Sequence, residues 1–136
     1  MEFVVLIGRI LFVILFLSSA VGHLTQGKAM AGYAASKGVP LSGPATLGSG
    51  VLMLLGALSV LLGIWADLGA LLLVLFLVPT AFLMHAFWKE GDAGARQQEM
   101  IQFQKDLALA GAALIVFGTH AGGCDLGPTV TGPLFG

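Results

Sequence analysis

Apolar residues run almost unbroken through four stretches, residues 3–22, 44–65, 68–88 and about 103–119, and polar residues collect between them. A bilayer core of about 30 Å needs about 20 residues rising 1.5 Å each, so each run reads as a membrane-spanning helix. The first run ends in Leu17-Ser18-Ser19-Ala20, much as a cleaved leader does, but it is long enough to span and is read as the first helix. Residues 23–43 are too polar to cross and too numerous for a tight turn. Thr25 stands where it would cap a short interfacial helix with Met30, Tyr33 and Ala34 on one side, stopping at Lys37-Gly38-Val39-Pro40. Only Trp65 to Leu68, around Asp67, joins the second and third runs, which makes them antiparallel neighbours. Lys89 to Gly94 is turn-rich, and Arg96 to Gln104 is expected to start the fourth helix outside the hydrocarbon. The Gly/Pro-rich tail, 120–136, is expected to be extended. The pattern therefore predicts an all-α, single-domain polytopic membrane protein: an antiparallel four-transmembrane-helix bundle with a short interfacial helix between helices 1 and 2.

Composition strengthens this reading. Of 136 residues, 57% are hydrophobic and 10% charged, with a mean hydropathy of +0.98, against roughly 25% charged in soluble domains. A net charge of -1 offers no basic patch for nucleic acid. The single cysteine, Cys124, excludes an internal disulfide and any multi-thiolate metal centre within the chain. Lys28, Lys37, Lys89 and Arg96 lie in the connections after the first and third runs, with Lys105 at their membrane edge. The termini and the Asp67 turn carry no such charge apart from Arg9, inside the first run. Positive-inside logic then places 23–43 and 89–102 in the cytoplasm and both termini outside.

Ionisable groups at membrane depth need partners or a purpose. On the first helix Arg9, Phe16, Ala20 and His23 share a face. Glu2 and Asp67 are the expected partners of Arg9, in a structural ion pair tying helix 1 to the turn between helices 2 and 3; an anion clamp for an entering ligand is the alternative. The third helix aligns Val74, Val78, Ala81, His85 and Trp88, and the fourth aligns Gln102, Asp106, Ala110 and Ala113. His85 and Asp106 are thus expected to meet, with His23 joining them in a polar pocket walled by Trp88, Phe87 and Phe103. Pro79 would free the Leu75 carbonyl and kink the third helix above His85. Two readings stay open: a cluster handling a ligand or protons, or interfacial residues that anchor depth. No metal-ligand spacing such as HxxxH or HExxH occurs, and no metal is assigned. A haem held by His23 and His85 is compatible with both lying at one end of the bundle. Gly56, Ser59 and Gly63 form a thin stripe where another helix can approach.

The chain resembles the DoxX family of small four-span bacterial membrane proteins. The likeness is carried by Gly8-Arg9-Ile10-Leu11, by Tyr33-Ala34-Ala35-Ser36-Lys37-Gly38-Val39-Pro40, by Leu54-Leu55-Gly56-Ala57-Leu58, by Met84-His85-Ala86-Phe87-Trp88, and by the stretch from Gln102 to Gly111. Two departures stand out: Lys105-Asp106-Leu107 where the family commonly has Lys-Asn-Leu, and Cys124-Asp125-Leu126 where many relatives have Ser-Leu-Asp. The resemblance implies a multi-pass protein of the bacterial cytoplasmic (inner) membrane. Relatives include the membrane subunit of a thiosulfate:quinone oxidoreductase and proteins associated with complexes that handle oxidative or thiol stress. A quinone near His85 and Asp106 would fit such a role, the imidazole exchanging the accompanying proton. With no flavin, haem or iron–sulfur motif, electrons would come from other membrane or peripheral subunits. The competing reading is a non-catalytic scaffold or accessory subunit of a larger complex, with self-association open in either case. A transporter is disfavoured, because neither inverted repeats nor paired broken helices are visible.

Overall fold

A computed structural model describes residues 1–136. Five α-helices follow one another: α1 (Glu2–Thr25), α2 (Gly27–Ser36), α3 (Ser42–Leu62), α4 (Ala66–Met84) and α5 (Ala93–Ala121), with a 3-10 turn over Phe87–Lys89 before α5. Four of them, α1, α3, α4 and α5, are long and apolar enough to cross a membrane. Helices satisfy their own backbone groups, which is what a chain in hydrocarbon requires. The protein is an all-α membrane bundle.

Packing runs in series: α1 lies on α3, α3 on α4 and α4 on α5, while α2 folds against α3. The shared core is Val13, Phe16 and Ala20 from α1, Met53, Ala57 and Val60 from α3, Ala70, Leu73 and Leu77 from α4, and Ala110 and Ala113 from α5. Small residues bring α3 and α4 close. A methyl group on Gly69 would come within 2.8 Å of the Gly56 carbonyl, so the expected stripe at Gly56 and Ser59 is a backbone-to-backbone contact. The Ser59 hydroxyl faces the Ile64 and Trp65 carbonyls at 2.6 and 3.0 Å and holds the turn that follows. That turn needs Gly63 at φ +66° and puts Trp65 in the same left-handed region, at φ 47°.

Several local expectations change. Thr25 does not cap α2: its hydroxyl turns back to the Val21 carbonyl at 2.6 Å, and Gln26 occupies the cap position. Helix α4 ends at Met84, four residues before the predicted end, with His85 as its C-cap. Pro79 sits inside α4 without ending it. Helix α5 begins ten residues before the predicted span, where the Asp92 carboxylate accepts from the Ala95 N–H at 2.8 Å. The tail is not a loose extension. The Val130 and Thr131 N–H groups donate to carbonyls of Leu62 and Gly63, Leu126 is buried, and the chain straps the end of the bundle that holds both termini.

Candidate functional site

Arg9 and Asp67 organise the terminus end, but not as an ion pair. Arg9 is 3% exposed, and its guanidinium donates to four carbonyls. These are Val60 at 2.9 Å and Leu61 at 2.7 Å on the last turn of α3, and Leu126 at 2.9 Å and Pro128 at 2.7 Å in the tail. Orphan carbonyls at a helix C-terminus need donors, and five N–H groups in a rigid fork supply them. Asp67, fully buried, instead accepts from the backbone N–H groups of Leu134 and Phe135, each at 2.8 Å. Glu2 forms no salt bridge, and its backbone carbonyl lies beside Gly127, where the tail passes. The predicted Arg9–Glu2–Asp67 set is therefore corrected: a cation and an anion separately clamp the two halves of one strap. The reason is that the folded-back tail offers unpaired backbone groups at both positions.

At the opposite end, His85 does face Asp106, with Nε2 3.7 Å from Oδ2. Its closer partner is Glu99, whose Oε2 lies 2.7 Å from Nδ1. Glu99 also accepts from Lys37 Nζ at 2.8 Å, and Lys37 reaches Glu90 at 3.1 Å. A line of charge thus runs from the connections through Lys37 and Glu99 to His85 and Asp106. It ties α2, α4 and α5 together. The Glu99 carboxylate foremost, helped by Glu90 and opposed by partial desolvation, holds the Lys37 ammonium above the ordinary lysine range.

His85 and Asp106 line a cavity of about 760 Å³ between α1, α2, α3, α4 and the first half of α5. Its walls are mostly apolar and include Phe16, Met53, Phe76 and Leu77. Met30, Tyr33 and Ala34, the expected face of the short helix, close it from below. Ala45 and Gly48 on α3 with Leu75, Pro79 and Leu83 on α4 line it and are exposed, so the cavity opens sideways between these two helices, toward lipid. His23 enters it from α1, its Nδ1 2.8 Å from Ser49 Oγ and 3.2 Å from the Thr46 carbonyl. The two histidines share this cavity without touching. Thr80 points its hydroxyl at the Phe76 carbonyl, 2.7 Å away, one turn back from the proline.

Trp88 is not part of this wall. The 3-10 turn carries it outward, half-exposed, into an aromatic cluster with Phe82, Phe87 and Phe103 at ring separations of 5.2 to 6.2 Å. The expected pocket wall of Trp88, Phe87 and Phe103 is thus an interfacial aromatic knot, a usual place for tryptophan in membrane proteins. The cause is the early end of α4, which breaks the face that was to run from Ala81 to Trp88.

Two residues that the sequence pattern did not assign to any site matter here. Glu99 lies seven residues before Asp106 and His120 seven after Ala113, so both extend the inward face of α5 by two turns. His120 is 4% exposed and neither ring nitrogen has a partner. Extending the Gln102–Asp106–Ala110–Ala113 face in both directions would have found them.

The family model that matches is DoxX, over residues 4–86. That stretch covers more than half of the chain, from α1 to the end of α4, and includes Arg9, His23, Asp67 and His85. No curated protein and no solved structure matches. The four spanning helices, the Gly8-Arg9 opening and the match together place this chain in the DoxX family of membrane proteins.

Proposed function

We propose that the chain is an integral membrane subunit of a redox-linked complex, holding a quinone or similar lipid-soluble ligand in the lateral cavity. The observation that carries this reading is the cavity's polarity gradient: an apolar mouth between α3 and α4, and an inner end set with His23, His85 and Asp106. Its volume lies within the range of about 300–1,000 Å³ common for small-molecule sites. A ring could enter from the bilayer, leave its tail among Leu75 and Leu83, and present polar atoms to the imidazoles. Electrons would come from partner subunits. The chain's own contribution would be to orient the ring and exchange protons at His85. On this reading the membrane is the bacterial inner membrane, with both termini outside and 23–43 and 89–102 in the cytoplasm, so that the Lys37–Glu99–His85 line faces the cytoplasmic water.

Binding of a short-tailed benzoquinone to purified protein in detergent tests this, using wild type, His85→Ala and Gly48→Trp. Gly48 has open space beside it at the mouth, so a tryptophan there would obstruct entry without a core clash. Weaker binding in both variants is expected. Equal affinity in all three would remove the ligand from the cavity and leave the non-catalytic scaffold as the reading.

A further inference from the structure

Hydrogen-bond accounting shows what kind of head group the cavity's inner end lacks. Glu99 already accepts from the Lys37 ammonium, so it faces His85 as a carboxylate, and the 2.7 Å contact requires the proton on His85 Nδ1. In the neutral ring, Nε2 is then a bare acceptor. It faces Asp106 Oδ2 at 3.7 Å, too far for a hydrogen bond, and that oxygen is buried with no partner. Asp106 is 5% exposed and lines the cavity. His23 repeats the arrangement. The Ser49 hydroxyl is committed to the Thr46 carbonyl at 2.9 Å, so Ser49 Oγ can only accept from His23 Nδ1, at 2.8 Å. Its Nε2 makes no hydrogen bond with the protein and is left as a second acceptor. Two lining donors on α4 and α5 are already used, while the hydroxyls of Ser19, Thr46 and Tyr33 also line the cavity. Thr80 donates to the Phe76 carbonyl, and Lys105 is held by Gln102 and lies 3.7 Å from the other Asp106 oxygen. Tyr33 stands half-exposed at the rim.

We propose that the cavity selects a lipid-soluble ligand whose head group donates a hydrogen bond, a hydroxyl donating to one of the adjacent acceptors His85 Nε2 and Asp106 Oδ2, and therefore takes a hydroquinone in preference to the quinone. A quinone offers only carbonyl oxygens, which would meet nitrogen lone pairs and a carboxylate oxygen, whereas each hydroquinone hydroxyl supplies the missing proton. An unpaired buried acceptor is costly, and one filled by a hydroxyl is not. This inference rests on the proposed quinone-class ligand for the ring, but the donor requirement concerns the head group alone.

The test measures, without oxygen and in detergent, affinities for a short-tailed benzohydroquinone and its benzoquinone, and for a long-chain alcohol and its methyl ether. Wild type is expected to bind the hydroquinone about tenfold more tightly than the quinone, a ratio equal to about 1.4 kcal/mol, and the alcohol more tightly than the ether. In Asp106→Asn the amide replaces one carboxylate oxygen by an N–H2 that can donate to a quinone carbonyl, so the preference should fall to near unity. Equal affinity of wild type for the two rings, tighter quinone binding, or full preference kept in Asp106→Asn would overturn the inference while leaving a quinone-class site. If neither ring binds, the quinone reading fails. The alcohol then decides: tighter binding than its ether sustains the donor requirement, and no difference or no binding overturns it.

Discussion

Replacing Arg9 by lysine keeps the charge and removes the fork, which makes it a sharp probe of the terminus end. In the native protein three nitrogens serve four carbonyls, two closing α3 and two in the tail, at 2.7 to 2.9 Å. Lysine offers a single ammonium at the end of a flexible stem and cannot reach both pairs. Hydrogen bonds inside membrane proteins contribute about 0.6 to 1.5 kcal/mol each. Losing two or three of the four, with their carbonyls left in an apolar surround, should cost about 2–4 kcal/mol. Thermal unfolding in mild detergent measures the stability loss, and limited chymotrypsin digestion at Leu126 reports whether the strap has lifted, since that residue of the strap is buried while it is in place. Arg9→Lys should unfold at lower temperature and be cut in the tail before the bundle opens. Asp67→Asn should release the same strap from its other anchor, where two N–H groups now share one carboxylate. A wild-type melting temperature and an uncut tail in Arg9→Lys would refute the carbonyl clamp and return Arg9 to the role of a generic interfacial cation.

Three further outcomes are expected. Gly69→Ala, whose methyl would press on the Gly56 carbonyl and on Ser59, should push α3 from α4 and destabilise by about 1–3 kcal/mol; Gly111→Ala, with open space beside it, should be neutral in the same unfolding assay. Lys37→Met should strand Glu99 and Glu90 and lower the melting temperature. Because the folded-state lysine titrates above its ordinary value, its contribution is complete below the unfolded value of about 10.4 and is lost only as pH rises through the higher folded value, so the gap from wild type should stay constant between about pH 6 and 9. Cys124 is exposed and is the sole thiol; a membrane-impermeant maleimide should label it in intact cells with a permeabilised outer envelope, and labelling seen only after the inner membrane is broken would invert the proposed orientation.

Much of this architecture was legible in the chain. Runs of about 20 apolar residues dictate spanning helices because the bilayer supplies no other hydrogen-bond partners for the backbone. A three- to four-residue connection dictates antiparallel neighbours. Small and polar residues at helical spacing marked the inward sides of α1 and α5, so Arg9, Phe16 and Ala20, and Asp106, Ala110 and Ala113, were found facing the interior. Periodicity reports the direction a side chain takes from its own helix, a local property. What it meets there is not local. Arg9 and Asp67 bind backbone carbonyls and N–H groups, which every residue carries and which therefore leave no mark in the residue pattern. Their choice depended on the tail folding back to a residue 117 positions away at Arg9 and 67 positions away at Asp67. The pairing of His85 with Glu99 depended on where α4 stops and α5 begins, ends set by competing caps rather than by hydropathy. The sideways cavity belongs to no single helix: α1, α2, α3, α4 and α5 all line it, and only the packing of whole helices against one another could decide its place.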